Sequence, residues 1–351
     1  MKKATWRFHA RKLAGGMLPI ALASPCTDAG EIAPTVTEKI TTRATREDSA
    51  KGGHMHLRTD DHLADLLGHP AFRGFSRRML PWDDRAYDEA MPLRNIGELL
   101  PYHSHVDPDL VVASLNRMVD DANAGHAVFY DFYTDAQKQA NPTLKNTGLF
   151  FFRGRPGAPF AVVAPGGGFS YVGSVHEGFP YAAEISQQGF NVFVLKYRSG
   201  QGGRVATEDL AAAISYIIRD AHTLQVGTTH YSLWGSSAGA RMAAAIGSHG
   251  TARFGGLPQS RPSAVVMAYT GHTEVTASEP PTFVVVGDID GISPPALMET
   301  RVAALRGMGT PVEYHKYSGI GHGFGTGQGT SAQGWVGQAV RFWEKEINKA
   351  P

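Results

Sequence analysis

Three short stretches carry residue types that can do chemistry together. The first is Gly235-Ser236-Ser237-Ala238-Gly239, which follows the apolar run 231–234 and leads into the small residues 240–246. This is the G-x-S-x-G spelling of a strand that turns sharply into a helix with a serine hydroxyl exposed at the turn. Such a turn forces a strained backbone angle and brings strand and helix close, and the glycines two residues before and after the serine leave the space. Ser237, central between them, is the candidate nucleophile, rather than Ser236. The N–H of Ala238 is a candidate donor to a developing oxyanion.

The second stretch is Gly287-Asp288-Ile289-Asp290-Gly291, after the apolar run 282–287. An acid that orients a histidine belongs in a loop at a strand's carboxyl end. Asp290 lies farther along this loop and takes that role; Asp288, next to the strand, suits a turn residue bonded to local backbone. The third is Ser318-Gly-Ile-Gly-His-Gly-Phe-Gly325. Its His322, between glycines, suits a proton shuttle between serine and acid, whereas His315 sits on a strand pattern and reads as packing or surface.

Pro165-Gly166-Gly167-Gly168-Phe169 follows another apolar run. Glycines let this loop point a second N–H at a substrate carbonyl, from Gly167 or Gly168; the residues alone do not choose. As a dinucleotide loop it fails, because Tyr171 stands where the third glycine is required and Lys196-Tyr-Arg198 stands where an acid should end the next strand. Phe169, Tyr171, His176 and Ser236 are candidate pocket residues. Tyr171, His176 and Glu177 read equally well as the start of a helix, with Glu177 favourable in its first turn. His54-x-His56 and His103-Ser-His105 lack the carboxylate and cysteine partners of a metal site and read as surface or packing residues. No metal and no cofactor is expected.

These residues need elements to hold them. Candidate strands cover residues 127–133, 148–153, 160–164, 191–197, 230–234, 264–269, 282–287 and 312–317. Helical patterns lie at 181–188, 205–221, 238–248, 296–307 and 334–348. Continuous runs such as Phe283-Val-Val-Val286 suit strands covered on both faces. The alternation predicts an α/β fold: an eight-stranded, mostly parallel sheet with helices on both faces. The first two strands, with no helix between them, are an expected antiparallel start. Ahead of this domain (126–351), residues 60–125 read as a mostly helical N-terminal extension. They hold too little apolar sequence for a core of their own and should pack on the main domain. Within them, Asp107-Pro-Asp109 caps a helix carrying Leu110, Val111, Leu115, Met118 and Val119.

With Gly-Gly-Gly-Phe, Gly-Ser-Ser-Ala-Gly, Gly-Asp-Ile-Asp-Gly and Gly-His-Gly-Phe in this order, the chain resembles the α/β-hydrolase superfamily over residues 127–349. Within it the chain is similar to bacterial acetyl-esterase, acetylxylan-esterase and feruloyl-esterase-like serine hydrolases. The resemblance implies the α/β-hydrolase fold, a Ser237–Asp290–His322 triad in the order this fold uses, and a carboxylic-ester hydrolase without cofactor. The implied substrates are short-acyl or aromatic esters of small molecules or oligosaccharides. A peptidase of the same fold and a non-catalytic binding protein on this scaffold are the rival readings. Hormone-sensitive-lipase-like members carry a His before the glycines and a Tyr-Arg-Leu-Ala-Pro-Glu run. Here Pro165 precedes the glycines and Tyr197-Arg198 continues Ser-Gly-Gln-Gly-Gly, so that group's substrate preferences do not carry over.

The 351 residues are 42% hydrophobic with a formal charge of +1, ordinary globular composition with no charge block for nucleic acid or an anionic membrane. One cysteine, Cys26, excludes an intramolecular disulfide framework. Lys2, Lys3, Arg7, Arg11 and Lys12 precede a short apolar run, 13–23, ending in Ala21-Leu-Ala23, so residues 1–23 read as an export signal too short to span a bilayer. A periplasmic or secreted protein follows. Lipid attachment at Cys26 is disfavoured by Pro25. The polar, Thr-rich residues 24–59 read as a disordered linker. The expected N-terminus of the protein from its native host is near Ser24, which mass spectrometry of the N-terminal peptide checks; an intact Met1 on a cytosolic protein would refute export.

Overall fold

The structure, a computed structural model, describes residues 55–349. The export signal, Cys26, His54 and most of the proposed linker lie outside the described residues. The linker was expected to run through residue 59, but the packed chain is already in place at 55. Leu57 is buried, and its backbone N–H and C=O both bond the Asn116 side-chain amide, at 2.8 and 2.9 Å.

The extension is helical in short pieces: α1 (Leu63–Gly68), α2 (Ser76–Met79), two 3₁₀ turns and the 16-residue α3 (Pro108–Asn123). Asp107 caps α3, its carboxylate accepting from the N–H groups of Asp109 and Leu110. Strand β1 (Phe129–Tyr130) is only two residues long, where 127–133 was expected. The absence of a helix before the second strand is also corrected: α4 (Asp135–Ala140) and a 3₁₀ turn intervene. The local cause is a capping box. The Thr134 hydroxyl accepts from Gln137 N–H, and the Gln137 side chain accepts from Thr134 N–H.

The remaining elements alternate as β2 (Gly148–Phe152), β3 (Pro159–Ala164), α5 (Phe179–Gln187), β4 (Asn191–Lys196), α6 (Gly202–Arg219), α7 (Ala221–Leu224), β5 (Gly227–Ser236), α8 (Ala238–His249), β6 (Ala264–Ala268), β7 (Thr282–Gly287), α9 (Pro295–Gly307), β8 (Val312–Tyr317) and α10 (Trp335–Lys349). The sheet order is β1-β2-β4-β3-β5-β6-β7-β8; β1–β2 and β2–β4 pair antiparallel and every later pair is parallel. Strand β5 begins three residues before the expected 230. A register shift against β3 and a positive φ of 62° at His230 mark the irregularity that hid its start.

The period of two sorts side chains onto the two faces. On β4, Val192 and Val194 join one buried cluster while Phe193 and Leu195 join the other; on β7, Phe283 and Val285 oppose Val284 and Val286. The second cluster is closed by α6, α8 and α9. The first is closed by α5, α10 and the extension, whose Leu63, Phe72, Ile96 and Leu115 share it with the sheet. No helix among the described residues is long and apolar enough to cross a membrane.

A buried charge pins the extension to the sheet. Lys196, the last residue of β4, is fully buried. Its Nζ donates to Asp83 Oδ1 (3.0 Å), Leu80 O (3.0 Å) and Pro81 O (3.3 Å). Burial pushes its pKa below the ordinary lysine value, and Asp83 opposes that shift. Asp83→Ala should therefore destabilise the fold by about 3 kcal/mol, the low end for breaking a buried pair, because two carbonyls still hold the ammonium. Denaturant titration checks it, and Asp83→Ala with Lys196→Met should recover much of the loss.

Candidate active site

Ser237 stands between β5 and α8 with φ 49° and ψ −114°, a conformation that costs a non-glycine residue about 1–3 kcal/mol. Its neighbours hold it there. Its N–H donates to Ala268 O at the end of β6 (2.8 Å). A Cβ on Gly239 would lie 1.8 Å from Ala164 O, so α8 crosses β3 at a distance only glycine permits. The turn leaves Ser237 partly exposed while Ser236 is buried, its hydroxyl 3.2 Å from Tyr181 Oη.

His322 reaches Ser237 from the loop after β8. Its Nε2 lies 2.9 Å from Ser237 Oγ, placed to accept the hydroxyl proton. Its Nδ1 lies 2.8 Å from Asp290 Oδ2, as an N–H donating to the carboxylate. The other Asp290 oxygen accepts from the N–H groups of Ile292 (2.8 Å) and Ser293 (2.7 Å), so the buried carboxylate is fully bonded and fixed in direction. Asp288 is not within this set. It was expected to bond local backbone, but its partners lie on the β8 loop: Gly319 N–H (2.7 Å) and Ser318 Oγ (3.1 Å).

The glycine loop lies against the serine: a Cβ on Gly166 would come 3.1 Å from Ser237 Cβ. Gly167 and Gly168 have φ of 131° and 62°, conformations that favour glycine. Their N–H groups donate to no acceptor among the described residues, whereas the Gly166 N–H is taken by Glu177 Oε2 at 2.5 Å. Ala238 opens α8, where the first-turn N–H groups have no intrahelical acceptor. Open donors therefore stand on both sides of the serine.

Of the four expected pocket residues, only Phe169 lines an open cleft. This cleft, about 610 Å³, adjoins the site through Phe169 and through Arg241, one helical turn past Ser237; Ser237 itself is not on its wall. Its other walls mix Arg204, Thr207, His272 and Glu274 with the apolar Met242, Ala245 and Phe254. Tyr171, His176 and Ser236 are instead buried behind the site; His176 lies in a wide helical turn, 174–178, whose residues are all buried, and Ser236 closes the buried strand β5.

That buried layer joins residues whose partners the sequence does not name. Glu177, fully buried, accepts from Gly166 N–H, Tyr269 Oη (2.7 Å) and His103 Nε2 (3.0 Å). Tyr269 in turn accepts from Tyr181 (2.9 Å), and Tyr181 from Ser236. Burial pushes the Glu177 carboxyl up, but the charge and hydrogen bond of His103, with help from His176 and Tyr269, hold it down to about 2. Burial and the neighbouring His103 push His176 down to about 4, which leaves it neutral at neutral pH. Of the histidines read as surface or packing, His103 has its side chain buried, and His56 sits at the surface on Asp120 (2.6 Å). The one sequence signal was the pair His176-Glu177 inside an otherwise apolar and small-residue stretch. Among the described residues no three His, Cys, Asp or Glu side chains are placed to hold a metal ion.

Residues 153–259 match the BD-FAE family model. No curated protein sequence matches the chain. Solved structures similar to it include an acetyl ester-xyloside bifunctional hydrolase from Caldicellulosiruptor lactoaceticus (20% identity, TM-score 0.55, 64% of this chain and 97% of that one). An α/β-hydrolase enzyme from a Medee basin deep-sea metagenome library aligns at 23% identity and TM-score 0.50, over 57% of this chain and 93% of that one. A sugar hydrolase from Lactococcus lactis aligns at 21% identity and TM-score 0.50, over 58% and 95%. The fold is that of the α/β hydrolases.

The two aspartates predict different losses. Asp290→Asn should lower kcat on the order of 10²–10⁴-fold with KM much less affected, because the imidazole loses its orientation and the support of its charged form. Asp288→Asn keeps an oxygen for Gly319 and should cost less than about tenfold. Saturating-ester kinetics on both variants decides between them.

Proposed function

We propose that this chain is a serine carboxylic-ester hydrolase working through an acyl-enzyme. The observation that carries the reading is the continuous relay Ser237–His322–Asp290, with contacts of 2.9 and 2.8 Å. Ser237 Oγ attacks the ester carbonyl as His322 Nε2 takes its proton. Asp290, held by two backbone N–H groups, orients the ring and stabilises the imidazolium. The carbonyl oxygen, now negative, is met by the N–H of Ala238 and of Gly167 or Gly168. Collapse expels the alcohol, protonated by His322. Water then attacks the acyl-enzyme with His322 again as base, and the acid is released.

The cleft beside Phe169 supports an ester with a hydroxyl-rich alcohol, and the acetyl ester-xyloside hydrolase neighbour points the same way. Short-acyl or aromatic esters of carbohydrates are the proposed substrates. The basic and apolar N-terminal run supports work outside the cytoplasm, in the periplasm or beyond.

Wild-type protein should hydrolyse p-nitrophenyl acetate and acetylated or feruloylated sugars, and a fluorophosphonate should label the peptide carrying Ser237. Ser237→Ala should lose at least about 10⁴ in kcat and all labelling, with circular dichroism unchanged. Labelling that maps to Ser236, or turnover that survives Ser237→Ala, overturns the reading.

A further inference from the structure

Glu177 makes no hydrogen bond to the proposed relay, yet its three bonds end on parts that must be aligned with it. Oε2 holds the Gly166 N–H, whose residue abuts Ser237 and opens the donor loop. Oε1 holds the hydroxyl of Tyr269, whose ring stands edge-on to the His322 ring at 5.2 Å. Oε1 also meets His103 Nε2, and His103 belongs to the extension. The next residue, Ser104, bonds the histidine loop directly: its hydroxyl donates to His322 O (2.8 Å) and its N–H to Gly323 O (2.9 Å). His176 Nε2 donates to the same Gly323 O (3.0 Å).

We propose that Glu177 and His103 form a positioning pair, through which the N-terminal extension sets the donor loop and the histidine loop in register around Ser237. The inference rests on the serine-hydrolase reading above. Its physical basis is the scarcity of alternatives. The Gly166 peptide must present its N–H to something once buried, and a carboxylate is the strongest acceptor available. With that N–H pinned, the left-handed residues Gly167 and Gly168 follow in one direction only, with their own N–H groups free.

The hydrogen bonds close around a charged Glu177. Each hydroxyl in the series Ser236, Tyr181, Tyr269 donates to the next, and the last donates to the carboxylate. His103 is held from behind by Tyr171, whose oxygen lies 2.8 Å from Nδ1 and accepts from Tyr102 N–H at 3.1 Å. Tyr102 also lies against the donor loop, since a Cβ on Gly168 would sit 3.1 Å from its ring. The extension thus touches the proposed oxyanion site from two directions.

The test uses the full chain and three readouts: ester kinetics, affinity for a methyl trifluoromethyl ketone, and melting temperature. The ketone forms a hemiketal with Ser237 and leaves its oxyanion among the N–H donors. Glu177→Gln keeps an acceptor for Gly166 but not the charge. It should lower kcat about 10- to 10²-fold with KM within about threefold, and weaken the ketone by the same factor as kcat/KM. Glu177→Leu should lose more. His103→Leu removes the donor to Oε1, keeps the Glu177–Gly166 bond, and should show the same pattern at about five- to tenfold; it carries the test if the Glu177 variants do not fold. Folded variants that melt lower but keep kcat and ketone affinity within twofold of wild type overturn the pair as a positioning device. A wild type that neither hydrolyses esters nor reacts with a fluorophosphonate overturns the serine-hydrolase reading instead, and this inference falls with it.

Discussion

A serine can be kept in a left-handed conformation only where the chain on both sides has no room to relax. At Ser237 that room is removed by contact: Gly239 touches the carbonyl of Ala164, and the Ser237 N–H is committed to Ala268. Strands β3, β5 and β6 therefore meet at one point, and their carboxyl ends are fixed relative to the hydroxyl. The donor loop leaves β3 there, Tyr269 follows β6, Asp290 follows β7 and His322 follows β8. Parallel strands bring all these ends to one edge of the sheet, which is where open α/β sheets hold their ligands.

Below that edge lies an unusual density of buried charge. Besides Glu177, the fold encloses Lys196 with Asp83, Arg198 with Asp209, and Arg301 with Glu279. Arg198 makes a forked contact, with Nε and Nη2 both on the Asp209 carboxylate, and Tyr133 adds its hydroxyl at 2.7 Å. Pairs of this kind contribute little net stability, since desolvation offsets most of their attraction. What they do is penalise every arrangement in which one partner is missing. One of them joins segments far apart in the chain, Lys196–Asp83, which ties the extension to β4, while Arg301–Glu279 ties α9 to the loop before β7.

Most strands were legible because their runs of Val, Phe and Leu admit no other placement in a chain of this kind. Ser237, Asp290 and His322 stand out in the sequence for a different reason: each has a glycine within three residues that a close approach or a positive φ requires, Gly235 and Gly239, Gly287, and Gly323. Helix α4 was written in the Thr134–Gln137 pair but was passed over. The buried layer could not be read in the same way. Tyr269 and Glu177 are 92 positions apart, and Ser104 and His322 are 218 apart. Nothing local to either residue names its partner. A buried glutamate looks like a helix-start residue until the surrounding donors are seen, and in His103-Ser-His105 nothing marks the first histidine, whose side chain is covered, from the last, which is exposed.

The shared core of extension and sheet has a consequence for the order of events in folding. Leu63, Phe72 and Leu115 are made early, but the buried cluster they belong to is completed by Trp335, Val340 and Trp343 of α10, which packs on α5, β6 and β7. The loop carrying His322 gains its anchor at Ser104 only when both ends of the chain are present. Contacts of such span carry a large loop-closure cost before they give any return, so the site is among the last parts to form. Until α10 is made, the apolar faces of β6 and β7 that it packs against stay uncovered, and a partly made chain exposes them to its neighbours.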